Sequence, residues 1–324
     1  MTNPKPSAVF LDHASLDRSD LDMEPLRAAS GSLRLFDSTE QWQVIERLTG
    51  HQVVITNKVV IDDAVMSACP DLQAILVAAT GLNNVDLDAA ARRGIRVLNC
   101  RGYGTSSVAQ HTLLLMLALV TRFESYRAAV DRGDWQRSSQ FCLLDYPIEE
   151  LAGMRLGILG YGELGRAVGR LAEAFDMQVV VGALPSREQP GRPALNELLT
   201  EVDMLSLHCP LTDDTRNLIG ETQLALMKPG SYVVNTARGG LVNEFALADS
   251  LRSGHLAGAA LDVLAVEPPA ADNPLLAPDL PNLIITPHCA WGSRSARQRI
   301  VEQLAEHLRS LWGAERSIPR NDQK

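Results

Sequence analysis

The segment Leu156-Gly157-Ile158-Leu159-Gly160-Tyr161-Gly162-Glu163-Leu164-Gly165 constrains this chain more than any other. A short apolar run ends in G-x-G-x-x-G, and a helical stretch, 164–174, follows at once. A strand that turns directly into a helix through glycines is the opening unit of a doubly wound sheet. Gly160 permits the tight turn, Gly162 lets a pyrophosphate approach the backbone, and Gly165 lets the helix pack close to the strand. The free N–H groups of the first helical turn then meet phosphate charge. A dinucleotide site is the function this grammar implies.

The surroundings carry the same pattern. Beyond residue 155, the runs 156–159, 178–181, 204–207, 232–235, 259–263 and 283–286 read as six strands. Helical stretches at 194–200 and 244–253 lie between them. An earlier series, 8–11, 33–36, 53–56, 74–78 and 95–98, reads as five more strands. Helices are expected at 62–69 and 86–93, with Asp62 and Asp86 as N-terminal caps. Continuous apolar runs of this kind fit parallel sheets covered on both faces. Between the two series, 106–120 reads as a helix whose leucines are expected to be buried on most faces, as at a domain or subunit junction. Residues 133–150 read as an irregular arm, and a last amphipathic helix is expected over 293–312.

Length and charge narrow the function. At 324 residues the chain suits two domains. A formal net charge of −9 argues against a phosphate-backbone binder, so no nucleic-acid partner is expected. Five cysteines without a C-x-x-C pair fit free thiols in a reducing cytoplasm and give no metal-site spacing. The polar start lacks an export signal, and 113–120 is too short to span a bilayer, so neither membrane nor export is expected.

The end of the second strand should choose the ribose. An NAD site usually has Asp or Glu there, about 20 residues past the glycine turn. Here Val181 leads into Gly182-Ala183-Leu184-Pro185-Ser186-Arg187, and no carboxylate comes before Glu188. Ser186 and Arg187 suit a 2′-phosphate, although Arg187 also reads as a solvated loop charge. NADP is therefore favoured, with NAD possible.

Three polar residues fall at or beyond late strands: Arg238 in Asn-Thr-Ala-Arg-Gly-Gly, Glu267 before Pro-Pro, and His288 in Thr-Pro-His-Cys. Carboxyl ends of strands face the ligand in doubly wound sheets. Each has a plain alternative: a turn arginine, a loop carboxylate, a packing histidine. His208 reads as support for a strand end, and His111 as a helix-packing residue.

The ordered motifs Ala79-Thr80-Gly81-Leu82-Asn83-Asn84-Val85-Asp86, Ser107-Val108-Ala109-Gln110-His111, the glycine turn, Leu207-His208-Cys209-Pro210-Leu211-Thr212, Asn235-Thr236-Ala237-Arg238-Gly239, Leu261-Asp262-Val263 and Thr286-Pro287-His288 cover nearly the whole chain. Together they closely resemble the D-isomer-specific 2-hydroxyacid dehydrogenases, and within them the glycerate dehydrogenase and hydroxypyruvate/glyoxylate reductase branch. The resemblance implies two doubly wound parallel-sheet α/β domains, with a Rossmann cofactor domain (102–289) inserted in a flavodoxin-like substrate domain (1–101 and 290–324). The site is expected in the cleft, with closure excluding water.

By the same resemblance, Arg238, Glu267 and His288 are catalytic. Arg238 grips the substrate carboxylate and polarises its carbonyl. His288 passes the proton, and Glu267 orients the imidazole and favours its charged form. Asn57, Thr80 and Gly81 would complete the substrate site. Cofactor contacts are implied at Val108, Gly160, Gly162, Glu163, Leu164, Gly165, Ser186, Arg187, Cys209, Pro210, Thr215, Thr236, Ala237, Asp262 and His288, with Asp262 facing the nicotinamide carboxamide. No metal is expected.

The implied activity is hydride transfer between NAD(P)H and a small 2-oxo or 2-hydroxy acid, in a cytoplasmic homodimer built on 106–120 and the Trp135 arm. Formate dehydrogenases carry Gln in place of Glu267, which disfavours formate. No regulatory segment follows Lys324, so serine feedback is not expected. A bulkier 2-oxo acid, or nucleotide sensing without turnover, remains open as an alternative.

Overall fold

The computed structural model describes residues 5–185 and 189–313. Its chain divides into two compact units, one holding the described residues up to Gly104 and from Gly292 on, the other Thr105–Trp291. The unit boundaries thus fall two to three residues after the expected 101/102 and 289/290. Side-chain bonds account for the shift. Gln303 holds both the N–H and the carbonyl of Arg101 (3.0 and 2.9 Å), and Arg299 donates to the Tyr103 carbonyl (2.8 Å), so 101–103 stay with the first unit. Ser107 donates to the Ala290 carbonyl (2.6 Å), so 290 stays with the second.

The first unit contains strands β1 (Ser7–Phe10), β2 (Ser32–Leu35), β3 (Val53–Thr56), β4 (Ala74–Val77) and β5 (Arg96–Asn99). Helices α1 (Glu24–Ala29), α2 (Val44–Leu48), α3 (Asp63–Ala68) and α4 (Leu87–Arg92) run between them. All pairings are parallel, in the order β2-β1-β3-β4-β5. This is the flavodoxin-like order, whose direction reverses between β1 and β3. Asp62 and Asp86 accept the expected N-cap bonds from Val65 and Ala89, each at 2.9 Å.

The second unit begins with α5 (Thr105–Val120), α6 (Phe123–Asp131) and α7 (Asp134–Arg137). Its sheet comprises β6 (Arg155–Leu159), β7 (Gln178–Gly182), β8 (Met204–Leu207), β9 (Ser231–Asn235), β10 (Leu256–Leu261) and β11 (Leu283–Ile285). Helices α8 (Glu163–Glu173), α9 (Leu195–Glu201), α10 (Glu221–Leu226) and α11 (Glu244–Arg252) connect them. The order is β11-β10-β9-β8-β6-β7, again all parallel. Alternate residues feed two cores. Leu205, Leu207, Val233 and Leu261 enter one; Leu156, Ile158, Met204 and Val234 enter the other. Both faces are covered, as continuous apolar strands require. The closing helix α12 (Arg294–Gly313) returns to the first unit, burying Ala296, Ile300, Val301, Leu304, Ala305 and Leu308 at helical spacing.

Two sequence expectations shift. The arm at 133–150 is not wholly irregular, because Gly133 (φ +75°) turns the chain into α7, where Arg132 and Arg137 both pair with Asp134. Helix α5 buries Leu115, Met116, Leu119 and Val120 but leaves Leu114 57% exposed, so its apolar surface is wider than the core it covers.

Asp12, just beyond β1, is buried and accepts from the backbone N–H groups of Asn57 (2.8 Å) and Lys58 (2.6 Å), fixing the loop after β3. Burial pushes its carboxyl above the ordinary range while those amides pull it down. Removing the acceptor strands the buried Asn57 N–H at about 1–3 kcal/mol and breaks the half-buried bond from Lys58 at a smaller cost. Asp12→Ala is therefore expected to lose about 2–4 kcal/mol in urea unfolding, and Asp12→Asn, which keeps one acceptor oxygen, about half of that.

Candidate functional site

The order of the second sheet decides which loops meet. β11, β10 and β9 are neighbours, and parallel strands lie about 4.8 Å apart. Their carboxyl ends carry His288, Glu267 and Arg238 respectively, so the predicted trio occupies three adjacent strand ends.

His288 Nδ1 lies 2.6 Å from Glu267 Oε2. Glu267 Oε1 accepts from the Leu264 N–H (2.9 Å), which fixes the carboxylate and hence the ring. Both side chains remain about a third exposed, so the pair is anchored yet reachable. His288 Nε2 has no hydrogen-bond partner among the described residues. The residue itself sits at φ +50°, a left-handed conformation costly outside glycine. Its N–H donates to the carbonyls of Asp262 (2.8 Å) and Thr286 (2.9 Å), and its carbonyl accepts from Trp291 Nε1 (2.9 Å).

Arg238 is exposed and donates from Nη1 to the Ala237 carbonyl (2.7 Å). Asn235 shapes its loop, accepting from Ala237 N–H (3.0 Å) and donating to the Arg238 carbonyl (2.8 Å). A Cβ on Gly239 would collide with the backbone of Leu264 and Ala265. The arginine loop therefore lies directly on the loop that carries Glu267.

Asp262, 2% exposed, accepts from the Thr286 hydroxyl (2.6 Å) and the N–H of Cys289 (2.9 Å) on one oxygen, and from the N–H of Ala290 (2.9 Å) on the other. His111 Nε2 joins this group through Thr286 (2.9 Å). His111, Asp262 and Cys289 have ligand-type atoms within 4.8 Å of one another, and the hydrogen bonds account for that closeness.

The glycine turn is built as the motif requires. Gly160 has φ +94°, and a Cβ there would strike His208 and Cys209 at the end of β8 (2.5 Å). A Cβ on Gly165 would strike the Gly160 carbonyl, whereas one on Gly162 would meet nothing within 4 Å. The turn is closed against protein and open where a diphosphate would lie, so the residues fit a dinucleotide. Glu163 is tied by Thr105 Oγ1 (2.5 Å), and Leu164 follows it in the first turn of α8. Beyond β8, Cys209 is buried, which pushes its thiol up to about 11, and Thr215 Oγ1 bonds the Pro210 carbonyl (2.8 Å). Thr236 is buried and pairs with Thr112 (2.9 Å); Ala237, the next residue, and Val108, whose carbonyl accepts from the Thr112 hydroxyl, are also buried. Ser186 and Arg187 lie outside the described residues.

In the first unit, Asn57 is buried and donates to Ser15 Oγ (3.0 Å). Thr80 and Gly81 sit on the loop after β4, where Asn99 Nδ2 grips the Thr80 carbonyl (2.6 Å).

The second-unit region 113–290 matches the family model for the D-isomer specific 2-hydroxyacid dehydrogenase NAD binding domain. The chain belongs to the D-isomer-specific 2-hydroxyacid dehydrogenase family. It is 43% identical to a glycerate dehydrogenase of Methylorubrum extorquens over 94% of this chain and 95% of that one. It is 36% identical to a hydroxypyruvate reductase of Blautia hydrogenotrophica over 93% and 95%. The crystal structure of the TT0316 protein from Thermus thermophilus superposes with a TM-score of 0.82 at 36% identity, covering 93% and 95%. The protein is accordingly an oxidoreductase acting on hydroxy acids with a nicotinamide cofactor. No described helix of this dehydrogenase is long and apolar enough to cross a membrane.

Among the motifs, the sequence undervalued His111: it reads as packing, yet it belongs to the hydrogen-bonded group around the His288 turn. His208 supports its strand, pairing with Ser206 Oγ (2.9 Å), while Nδ1 is enclosed without a hydrogen-bond partner among the described residues. Burial pulls its imidazole down from 6.5 to about 4. Between those values the unfolded chain is protonated and the folded one is not, so stability falls as pH drops from 6.5 to 4, by about 3 kcal/mol. His208→Gln is expected to flatten that slope in urea unfolding measured from pH 7 to 4.

Proposed function

We propose that this dehydrogenase reduces hydroxypyruvate and glyoxylate to D-glycerate and glycolate, with NADPH favoured over NADH. The observation that carries a turnover reading is the 2.6 Å pair of His288 and Glu267 with Nε2 left open. A nucleotide sensor without turnover has no use for an oriented proton donor. The 43% identity to a glycerate dehydrogenase supports the substrate class.

The roles follow from the chemistry of the residues. Arg238 grips the substrate carboxylate and polarises the adjacent carbonyl oxygen. Protonated His288 donates from Nε2 to that oxygen; in the reverse direction the neutral ring accepts the hydroxyl proton there. Glu267 holds Nδ1–H and stabilises the charged ring. When bound, the cofactor supplies or takes the hydride. Asp262, at the carboxyl end of β10, orients the nicotinamide carboxamide. In the first unit, Asn57, Thr80 and Gly81 are the residues we propose for substrate contacts. Ser186 and Arg187, in the absence of a carboxylate between 182 and 185, support the 2′-phosphate preference.

A homodimer is part of this reading. Leu114, Phe123, Trp135, Phe141 and Leu144 are all exposed, Phe141 by 89%, and a second copy of the chain would cover them.

Arg238→Ala is expected to lose at least 100-fold in kcat/KM with glyoxylate while cofactor binding by fluorescence titration stays within about threefold. Near-normal turnover would remove Arg238 from the mechanism. A panel of 2-oxo acids assayed with each cofactor should give the highest kcat/KM for hydroxypyruvate or glyoxylate with NADPH. A clear preference for NADH, or for a bulky 2-oxo acid, overturns that part of the reading.

A further inference from the structure

The catalytic histidine of the proposed reaction occupies a strained turn, and the bonds that hold the turn lead back to α5. Thr286 Oγ1 has one proton. Its strong hydrogen-bond partners are a carboxylate oxygen of Asp262 at 2.6 Å and His111 Nε2 at 2.9 Å, and the Cys289 thiol, a weak partner, lies beside it. Each oxygen of Asp262 accepts a backbone N–H, and an ionised carboxylate has no proton to give. The hydroxyl proton therefore goes to Asp262, and the hydroxyl oxygen accepts from His111. The ring of His111 must carry its proton on Nε2.

The chain of donors thus runs in one direction, from His111 Nε2–H to Thr286 Oγ1–H to Asp262. Asp262 in turn receives the N–H groups of Cys289 and Ala290, on the far side of His288. Thr286 lies two residues before His288 and Cys289 one after it, so the chain brackets the histidine. Helix α5 grips the same turn a second time through Ser107 to the Ala290 carbonyl, and Ser107 and His111 share a helix face at i, i+4. The next residue, Thr112, bonds Thr236 on the loop that leads to Arg238.

We propose that His111 is a positioning residue for His288, acting as an obligatory Nε2–H donor that fixes the 286–290 turn through Thr286 and Asp262. This rests on the reading of His288 as the proton donor. Geometry errors near 1 Å cost about 100-fold in rate, whereas ground-state cofactor binding spreads over many contacts. The effect should therefore appear in kcat more than in KM.

The test uses the full-length enzyme with four variants and one spectrum. His111→Leu, which keeps bulk and removes the donor, should lower kcat at least 10-fold with the cofactor KM within about threefold. His111→Gln, whose side-chain amide restores an N–H donor, should recover kcat to within about threefold of the unaltered enzyme. Thr286→Val should match His111→Leu, and the double variant should be no worse than either single one, because both break one chain. Long-range proton–nitrogen spectra of the histidine rings should show His111 protonated at Nε2.

A His111 ring protonated only at Nδ1, an unchanged kcat in His111→Leu, or losses that simply multiply in the double variant would each overturn the proposal. A loss that Gln fails to rescue, with a lowered melting temperature, would mark His111 as a packing residue and overturn it as well. The spectrum is read without turnover, so an Arg238 or His288 variant that stays active sinks the proposed reaction and leaves the tautomer result standing.

Discussion

Asp262 is the interaction on which the rest of the second unit's site depends. It is a buried carboxylate at the end of β10, between the strand ends that carry Arg238 and His288. Its oxygens take up one hydroxyl and two backbone N–H groups, and its own carbonyl receives the N–H of His288. A buried charge without partners would be costly; here the partners are the turn itself. The same bonds that satisfy the carboxylate hold His288 in a left-handed conformation it would otherwise avoid. Orientation of the imidazole by Glu267 works only because the backbone beneath it is already fixed.

The sheet supplies the coarse geometry and the glycines the fine geometry. Parallel pairing of β9, β10 and β11 sets three loops side by side at strand spacing. At the other end of the sheet order, β6 and β8 meet across the topological switch point, and Gly160 lets the nucleotide turn lie against His208 and Cys209. A side chain at Gly160 would push the turn off the end of β8, and one at Gly165 would push helix α8 off the turn. Gly162 differs: a side chain there would meet no protein atom within 4 Å.

Much of this was legible in the residues. The alternation of short apolar runs with helical stretches announced both parallel sheets, and their order placed Arg238, Glu267 and His288 at successive carboxyl ends. The caps at Asp62 and Asp86 were readable because a side-chain oxygen just before an apolar-periodic stretch has one obvious use. The role of His111 was not readable, since it depends on a threonine 175 residues away whose proton direction only the third partner decides. The short helix α7 was missed because its entry relies on Gly133 in a left-handed conformation and on ion pairs around Asp134, neither of which has a periodic signature. The bonds from Gln303 and Arg299 to main-chain atoms of 101 and 103 are tertiary and have no local pattern in the sequence.

The contact between Gly239 and the backbone of Leu264 and Ala265 makes two loops behave as a single body. A guanidinium and a carboxylate that belong to different strands cannot drift apart or be retuned one at a time. Variation that widens or narrows the range of accepted acids is thereby pushed away from this seam, toward loops that carry no share of it, and the seam itself becomes the part of the architecture least free to change.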